Sequence, residues 1–339
     1  MSDVKRIKYK SGKKIAFIAD DIKDLNKFGL FHNATFSLML ASCKLGAKLF
    51  LAGSKSLKVR NGKVSARFYE VNVKQEYRNH ITILRSFECV LDAMDVVFAR
   101  KDPPVNEDYL SFIYKLCLVS RNKNSKTLIV NNPEGILKAN EKLYALNFPD
   151  IILPTLVTTS EIEAFRFLNK YKEVVIKPLF NKSGKGVFYV NKKKKTLIKK
   201  SLLKYGTIIV QKYLKEILYG DKRIIVLNGN PIGAVKRIPR KGEFRTNVCY
   251  GPKFVPYKMQ NSDFKICKQL KPFLLKDGLY FVGIDVIGKY LIEINLTCPA
   301  TLQETSRADK NDLASKIVKW AITCKGRVTP PLLRANYQG

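Results

Sequence analysis

The stretch GIDVIGKYLIEINLTCP, Gly283 to Pro299, sets two carboxylates and an amide, Asp285, Glu293 and Asn295, into an otherwise apolar run. Burying a charge without a partner is costly, so something cationic is expected beside them. Residues two apart on a strand share a face, which puts Glu293 and Asn295 together. A turn centred on Lys289, within the GKY tripeptide, sets Asp285 directly opposite Glu293. Hard oxygen donors with only two carboxylates suit Mg²⁺ when phosphates complete its shell. The competing reading is a solvated edge hairpin, which the flanking Ile, Val and Leu residues disfavour.

Cationic residues supply a second set. Lys177 closes the apolar run VVIKPL, just ahead of a loop carrying Gly184 and Gly186, and Lys142 in ANEKLY opens a segment read as helical. A point charge at a strand end and backbone amides in a glycine-containing loop suit polyphosphate. In so lysine-rich a chain, two ordinary surface lysines are the competing reading. GDKRIIV holds Asp221 and Arg223, VKRIPRKGEFRTN holds Arg237, Arg245 and Asn247, and FARKDPP holds Arg100. The arginine fork suits bidentate binding of phosphate or carboxylate.

These residues need a scaffold, and the chain has length for one. Its 339 residues, 46% apolar, support two or three packed lobes. KIAFIAD, an apolar stretch at helical spacing through ATFSLMLASCK, then GAKLFLAG read as strand, helix, strand, and DVVFARKDPP and KTLIVNNPEGI repeat the strand theme. This pattern predicts an open parallel sheet. Beyond residue 130 the texture changes. EGILKANEKLYALNF reads as a helix, PDIILPTLVTTSEIEAFRFLNKY as a strand and a helix capped by Ser160, and EVVIKPLFNKSGKGVFYV as an antiparallel pair. More strands follow to the closing hairpin. The expected architecture is an α/β lobe followed by two α+β lobes with a cleft between them.

Composition narrows the chemistry further. Seven scattered cysteines without a C-x-x-C pair argue against a zinc site or disulfide framework and fit a reducing, cytoplasmic setting. The two histidines, His32 and His80, lie in no recognisable catalytic context and read as surface or packing residues. No apolar run is long enough for a membrane span, and the basic N-terminus lacks the core of a secretory signal. With 62 Lys and Arg against 28 Asp and Glu the formal charge is +34, which keeps a nucleic-acid or anionic-membrane surface open. The lysines are nevertheless spread along the chain. The one dense block, NKKKKTLIKK, lacks the interleaved aromatics of a single-strand-binding face, so no specific nucleic acid is expected.

Taken in order, YEVNVKQ, ARKDPP, LIVNNPEGI with NEKL, LPTLVT, IKPL, GDKR, RIP followed by G-E-x-R-x-N, and GLYFVGIDVIG through EINLTCPA closely resemble the bacterial glutathione synthetases, ATP-grasp ligases. The resemblance spans Lys14 to Trp320. It implies an ATP-grasp fold preceded by an open parallel-sheet domain. The expected divisions are a disordered leader over 1–13, a substrate-binding domain over 14–130, ATP-grasp lobes over 131–205 and 206–328, and a tail over 329–339.

It also implies roles. Asp285, Glu293 and Asn295 would hold Mg²⁺, or Mn²⁺, and Lys142, Lys177, Gly184 and Gly186 would meet ATP phosphates. Gln211, Lys212, Tyr213 and Leu214 would bind adenine through their backbone, with Asp221 at the ribose. Arg223, Arg237, Arg245 and Asn247 would surround the transferred phosphoryl group. Arg100, Thr297 and Cys298 would contact the peptide. The implied reaction joins γ-glutamylcysteine to glycine through an acyl phosphate, giving glutathione, ADP and phosphate. The implied assembly is a homo-oligomer. TCPA at Thr297–Ala300 departs from the hydroxyl-bearing residues usual there, which leaves a ligase with another amine acceptor as the alternative.

Overall fold

The computed structural model describes residues 12–20, 33–75 and 80–324; the expected leader through Ser11, residues 21–32 including His32, residues 76–79 and the expected tail lie outside them. In the first domain β1 (Lys14–Ala19), β2 (Lys48–Gly53), β3 (Lys58–Arg60), β4 (Lys63–Val73), β5 (Ile81–Val90), β6 (Val96–Ala99) and β7 (Leu128–Val130) share one sheet. Its order is β3-β4-β2-β1-β6-β7, with β5 also paired to β4. Strands β2, β1, β6 and β7 run parallel, as expected. Strand β4 joins antiparallel and carries β3 and β5, an extension absent from the expectation. The run Ile15–Ala19 is buried throughout, as a strand covered on both faces requires.

Helix α1 (Ala34–Lys44) starts where Asn33 accepts the Phe36 N–H. Helix α2 (Glu107–Arg121) starts at Asn106, with Glu107 and Asp108 complementing the dipole of its first turn. His80 is buried edge-on against Phe36, a packing role.

The helix expected through EGILKANEKLYALNF is broken. Helix α3 (Pro133–Lys138) stops at Ala139, the Asn140 side chain accepts the backbone N–H groups of Lys142 and Leu143, and a 3-10 turn follows over Tyr144–Asn147. An asparagine that offers its own acceptor to nearby N–H groups competes with the helical ladder. Lys142 therefore sits in a turn.

Next come β8 (Thr155–Thr158), α4 (Glu161–Tyr171), β9 (Val174–Pro178), β10 (Phe188–Val190), α5 (Thr196–Tyr205) and β11 (Ile208–Lys212). Their strands form an antiparallel sheet, β10-β9-β11-β8, and Ser160 caps α4 as expected. Because β11 completes this sheet, we propose that the division expected at 205/206 falls after Lys212.

The last lobe is an antiparallel sheet, β14-β13-β12-β15-β16. It is built from β12 (Asp221–Leu227), β13 (Asn230–Ile238), β14 (Lys253–Pro256), β15 (Phe281–Ile287) and β16 (Tyr290–Asn295). Helices α6 (Asn261–Lys276), α7 (Leu302–Ala308) and α8 (Leu313–Thr323) complete it.

The cores show which parts pack together. The central lobe packs around its own cluster, including Leu168, Ile176 and Val210. The other two clusters each mix first-domain and last-lobe residues: Phe50 shares a core with Leu270 and Ile284, and Phe98 with Phe281 and Ile317. Buried Asn131, just after β7, fastens this junction. Its Nδ2 donates to the carbonyls of Phe281 (2.7 Å) and Leu296 (2.8 Å), and its Oδ1 accepts the Phe281 N–H (2.7 Å). Asn131→Ala leaves three buried backbone groups unpaired and should cost on the order of 3 kcal/mol. Denaturant titration should show a lower midpoint at unchanged slope, and an unchanged midpoint would refute the clasp.

Candidate active site

A polar row crosses the last sheet because strand register stacks alternate residues on one face. Arg237 pairs with Asp221 across β13 and β12, Arg223 with Asp285 across β12 and β15, and Asp285 with Glu293 across β15 and β16. Asp285 does lie opposite Glu293, but by another route than the expected three-residue turn. The turn is the two-residue Gly288–Lys289, with Gly288 at φ +56°, and Ile287 faces Tyr290. A bulge between Asp285 and Val286 then restores the pairing.

The two arginines of this row balance its two aspartates, leaving Glu293 as the extra carboxylate. Arg223 grips Asp285 with two bonds, Nε–Oδ1 2.6 Å and Nη2–Oδ2 3.1 Å, while Arg237 Nη2 reaches Asp285 Oδ1 at 2.9 Å. Arg237 also forks onto Asp221, through Nε to Oδ1 at 2.8 Å and Nη2 to Oδ2. Gly283 makes room, since a Cβ there would stand 3.0 Å from Arg223 Nη1. Burial pushes the Asp285 carboxyl up, but Arg223 and Arg237 outweigh it and hold it below the usual carboxylate range. Asn295 Nδ2 donates to Asp285 Oδ2 (3.3 Å) and to the Gly283 carbonyl (3.1 Å).

Facing the row across a cleft of about 270 Å³ are two lysines. Lys142 Nζ donates to the carbonyls of Asn181 (2.7 Å) and Leu179 (3.3 Å) and lies 4.0 Å from Glu293. Lys177 Nζ donates to Gln211 Oε1 at 2.8 Å. Burial depresses Lys177 to about 8, Glu293 pulls it back up, and Lys142 adds to the depression.

Two loops close over the cleft. Tyr250 donates its hydroxyl to the Gly184 carbonyl, Cys249 its thiol to that of Ser183, and a Cβ on Gly184 would strike Asn247 Oδ1 at 2.6 Å. Arg245 is braced by Glu243 (2.6 Å) and by the Tyr250 ring (3.8 Å).

The cleft gathers Lys142, Lys177, Gly184, Gln211 to Leu214, Asp221, Arg223, Arg237, Arg245, Asn247, Asp285, Glu293, Asn295, Thr297 and Cys298. Gly186 and Arg100 are not among its lining residues. Gly186 packs under Pro178 and Tyr205. Arg100 is buried behind the wall, donating to Thr35 Oγ1 and the Pro299 carbonyl, both at 3.0 Å.

The sequence reading passed over Glu141. This carboxylate accepts the N–H groups of Leu296 and Thr297 (both 3.0 Å) and the Thr297 hydroxyl (2.7 Å). Its one signal was its place beside Lys142 in NEKL.

Structures with the same architecture identify the fold. A D-cycloserine synthetase, 12% identical, aligns with TM-score 0.64 over 91% of this chain and 99% of its own. A Chryseobacterium gregarium RiPP-associated ATP-grasp ligase, 16% identical, also gives 0.64, over 94% and 98%. The fold is that of the ATP-grasp enzymes.

Sequence relatives narrow this. The profile for the prokaryotic glutathione synthetase N-terminal domain matches residues 14–136, and that for its ATP-grasp domain matches 141–310. Glutathione synthetase of Synechocystis sp. is 36% identical over 91% of this chain and 98% of its own, and that of Gloeobacter violaceus 37% over 95% and 99%. The chain belongs to the prokaryotic glutathione synthetase family.

Lys177 offers a pH test. Phosphate favours its charged form, so nucleotide affinity should be full below about pH 8 and fall as pH rises past it. The KM for ATP should climb across that range, and Lys177→Arg, which stays charged, should flatten the climb. A flat profile in the unaltered protein would exclude Lys177 from phosphate binding.

Proposed function

We propose that this chain is an ATP-dependent carboxylate–amine ligase that joins γ-glutamylcysteine to glycine. The observation that carries the reading is the row of paired charges ending in Asp285, Glu293 and Asn295, lining one cleft with Lys142 and Lys177. Family membership supports the same reaction.

The donor set fits a hard divalent cation. Asp285 is held ionised, Glu293 has Lys142 at 4.0 Å as its one ion-pair partner among the described residues, and Asn295 adds an amide. Among the described residues no group of three or more His, Cys, Asp or Glu could hold a metal without such help. In our reading Mg²⁺, or Mn²⁺, is held by Asp285, Glu293 and Asn295, and when bound it neutralises charge on the ATP phosphates.

The chain's own residues then do mostly positioning and electrostatics. Lys142 and Lys177 hold the phosphates under the Gly184 loop, and the backbone of Gln211 to Leu214 seats adenine. Asp221 reaches the ribose side while fixing Arg237. Arg223, Arg237, Arg245 and Asn247 spread positive charge and hydrogen bonds around the phosphoryl group as it moves to the peptide carboxylate. Thr297 and Cys298 line the peptide's end of the cleft, and Arg100 acts on it through the Pro299 carbonyl. The glycine nitrogen then forms the C–N bond as the C–O bond to phosphate breaks. Closure of the segment Arg237–Lys253 over the Gly184 loop keeps water from that intermediate.

We also read the protein as a cytoplasmic homo-oligomer. All seven cysteines are free, and no described helix is long and apolar enough to cross a membrane. Strand β5 leaves Ile83 and Leu84 more than half exposed on a ten-residue strand at the sheet's edge. Cys298, lining the cleft where the family usually carries a hydroxyl, favours a second reading with another amine acceptor, which a panel of amines would reveal.

ADP formation should require γ-glutamylcysteine, glycine and Mg²⁺ together, and phosphate release indifferent to glycine would sink the assignment. Glu293→Gln removes a charge and keeps the volume. It should lower turnover by about 100-fold or more with an unchanged circular dichroism spectrum, and near-normal turnover would show the ligand set to be wrong.

A further inference from the structure

Beside the cleft lies a second chamber of about 390 Å³, between α2, the turn after α3 and the Leu179–Asn181 segment. It shares Pro103, Glu141, Lys142, Asn181 and Thr297 with the cleft. The junction therefore opens beside Glu293, which lies 4.0 Å from Lys142. Most of the chamber wall is apolar, including Leu110, Ile113 and Ile136.

Glu141 stands at this junction with its two oxygens used unequally. Oε1 accepts all three hydrogen bonds from Leu296 and Thr297, which fixes the carboxylate plane. Oε2 accepts none among the described residues, yet it is not among their buried unpartnered atoms, so it is open to the cavity. Tyr109 from α2 lines the same chamber as Thr297, so the carboxylate is fixed where α2 and the segment after β16 meet.

We propose that this chamber seats the amine acceptor and that Glu141 Oε2 takes the N–H groups of its reacting nitrogen. The inference rests on the ligase reading above and deepens it. At Glu141 Oε2 itself an anionic group would be repelled by Glu141 and Glu293 together, whereas a nitrogen carrying N–H groups is attracted. The acceptor is the substrate whose reacting atom itself carries hydrogen-bond donors. γ-Glutamylcysteine also carries an ammonium, but at the far end from its reacting carboxylate. An amine entering through the chamber meets the acyl carbon without crossing the nucleotide. The apolar wall suits an α-amino acid with no side chain or a small uncharged one.

Steady-state rates of ADP formation with full-length protein test this, each substrate being varied in turn. Glu141→Gln should raise the KM for glycine about tenfold or more, the loss expected for a charge-assisted hydrogen bond. The KM values for ATP and γ-glutamylcysteine should stay within about twofold. Leu110→Trp, which fills the chamber without touching the Glu141 hydrogen bonds, should raise the same constant. It decides the matter alone if Glu141→Gln does not fold. An unchanged glycine KM in the folded variants, or a rise confined to γ-glutamylcysteine or ATP, overturns the proposal. The unaltered protein's own dependence on glycine judges the ligase reading separately. If it ligates a different amine, the same shifts are read with that amine.

Discussion

Two arginines and two aspartates buried side by side set the terms for everything in the cleft. Neither Asp221 nor Asp285 could stay ionised in this interior alone, and neither Arg223 nor Arg237 could be buried unpaired. Together they are neutral, and the forked geometry lets each guanidinium satisfy carboxylate oxygens directly. The consequence reaches the next strand, because an Asp285 held in its charged form sits ready beside Glu293 and Asn295. The sheet must supply the register for this, including the bulge that turns Asp285 toward Glu293. A slip of one residue would send every member of the row to the opposite face.

The remaining site parts come from outside that sheet. Lys177 ends a strand of the central lobe, Lys142 sits in the turn before it, and the loops carrying Gly184 and Asn247 meet over the opening. Depressing Lys177 by burial has a physical logic: a lysine already stripped of water loses less hydration when a phosphate arrives. The low-identity structural neighbours share this architecture and the family relatives are 31–37% identical in sequence as well, so chemistry particular to this chain has to be sought at departures from the family pattern such as Cys298.

Much of this was legible in the sequence, and the parts that were not share a cause. Apolar runs such as KIAFIA and LIV announced the parallel sheet, and alternation in the last hairpin put Asp285, Glu293 and Asn295 on one face. What local pattern could not show is pairing between distant segments. The partnership of Arg237 with Asp221, sixteen residues away, depends on which strands become neighbours. The bulge before Val286 leaves no mark in residue type. The break at Ala139 turns on one side chain, Asn140, whose competition with the helical ladder is weaker evidence than the run of helix formers around it. Arg100 and Gly186 carried the right residue types for their expected roles, yet tertiary packing set one behind the cleft wall and the other beneath a tyrosine.

The separate core of the central lobe has a mechanical consequence. The first domain and last lobe share two cores and the Asn131 clasp, so they form one block. The central lobe joins that block through two chain crossings that lie side by side, where the Lys212 N–H donates to the Pro154 carbonyl at 3.0 Å. Adjacent crossings make a single hinge, and among the described residues the contacts on its far side include those of Lys142, Asp102–Lys182 and the two loops. On our reading a tilt of that one small lobe would open the cleft, and the Asp285 row, lying wholly within the other block, would stay in place.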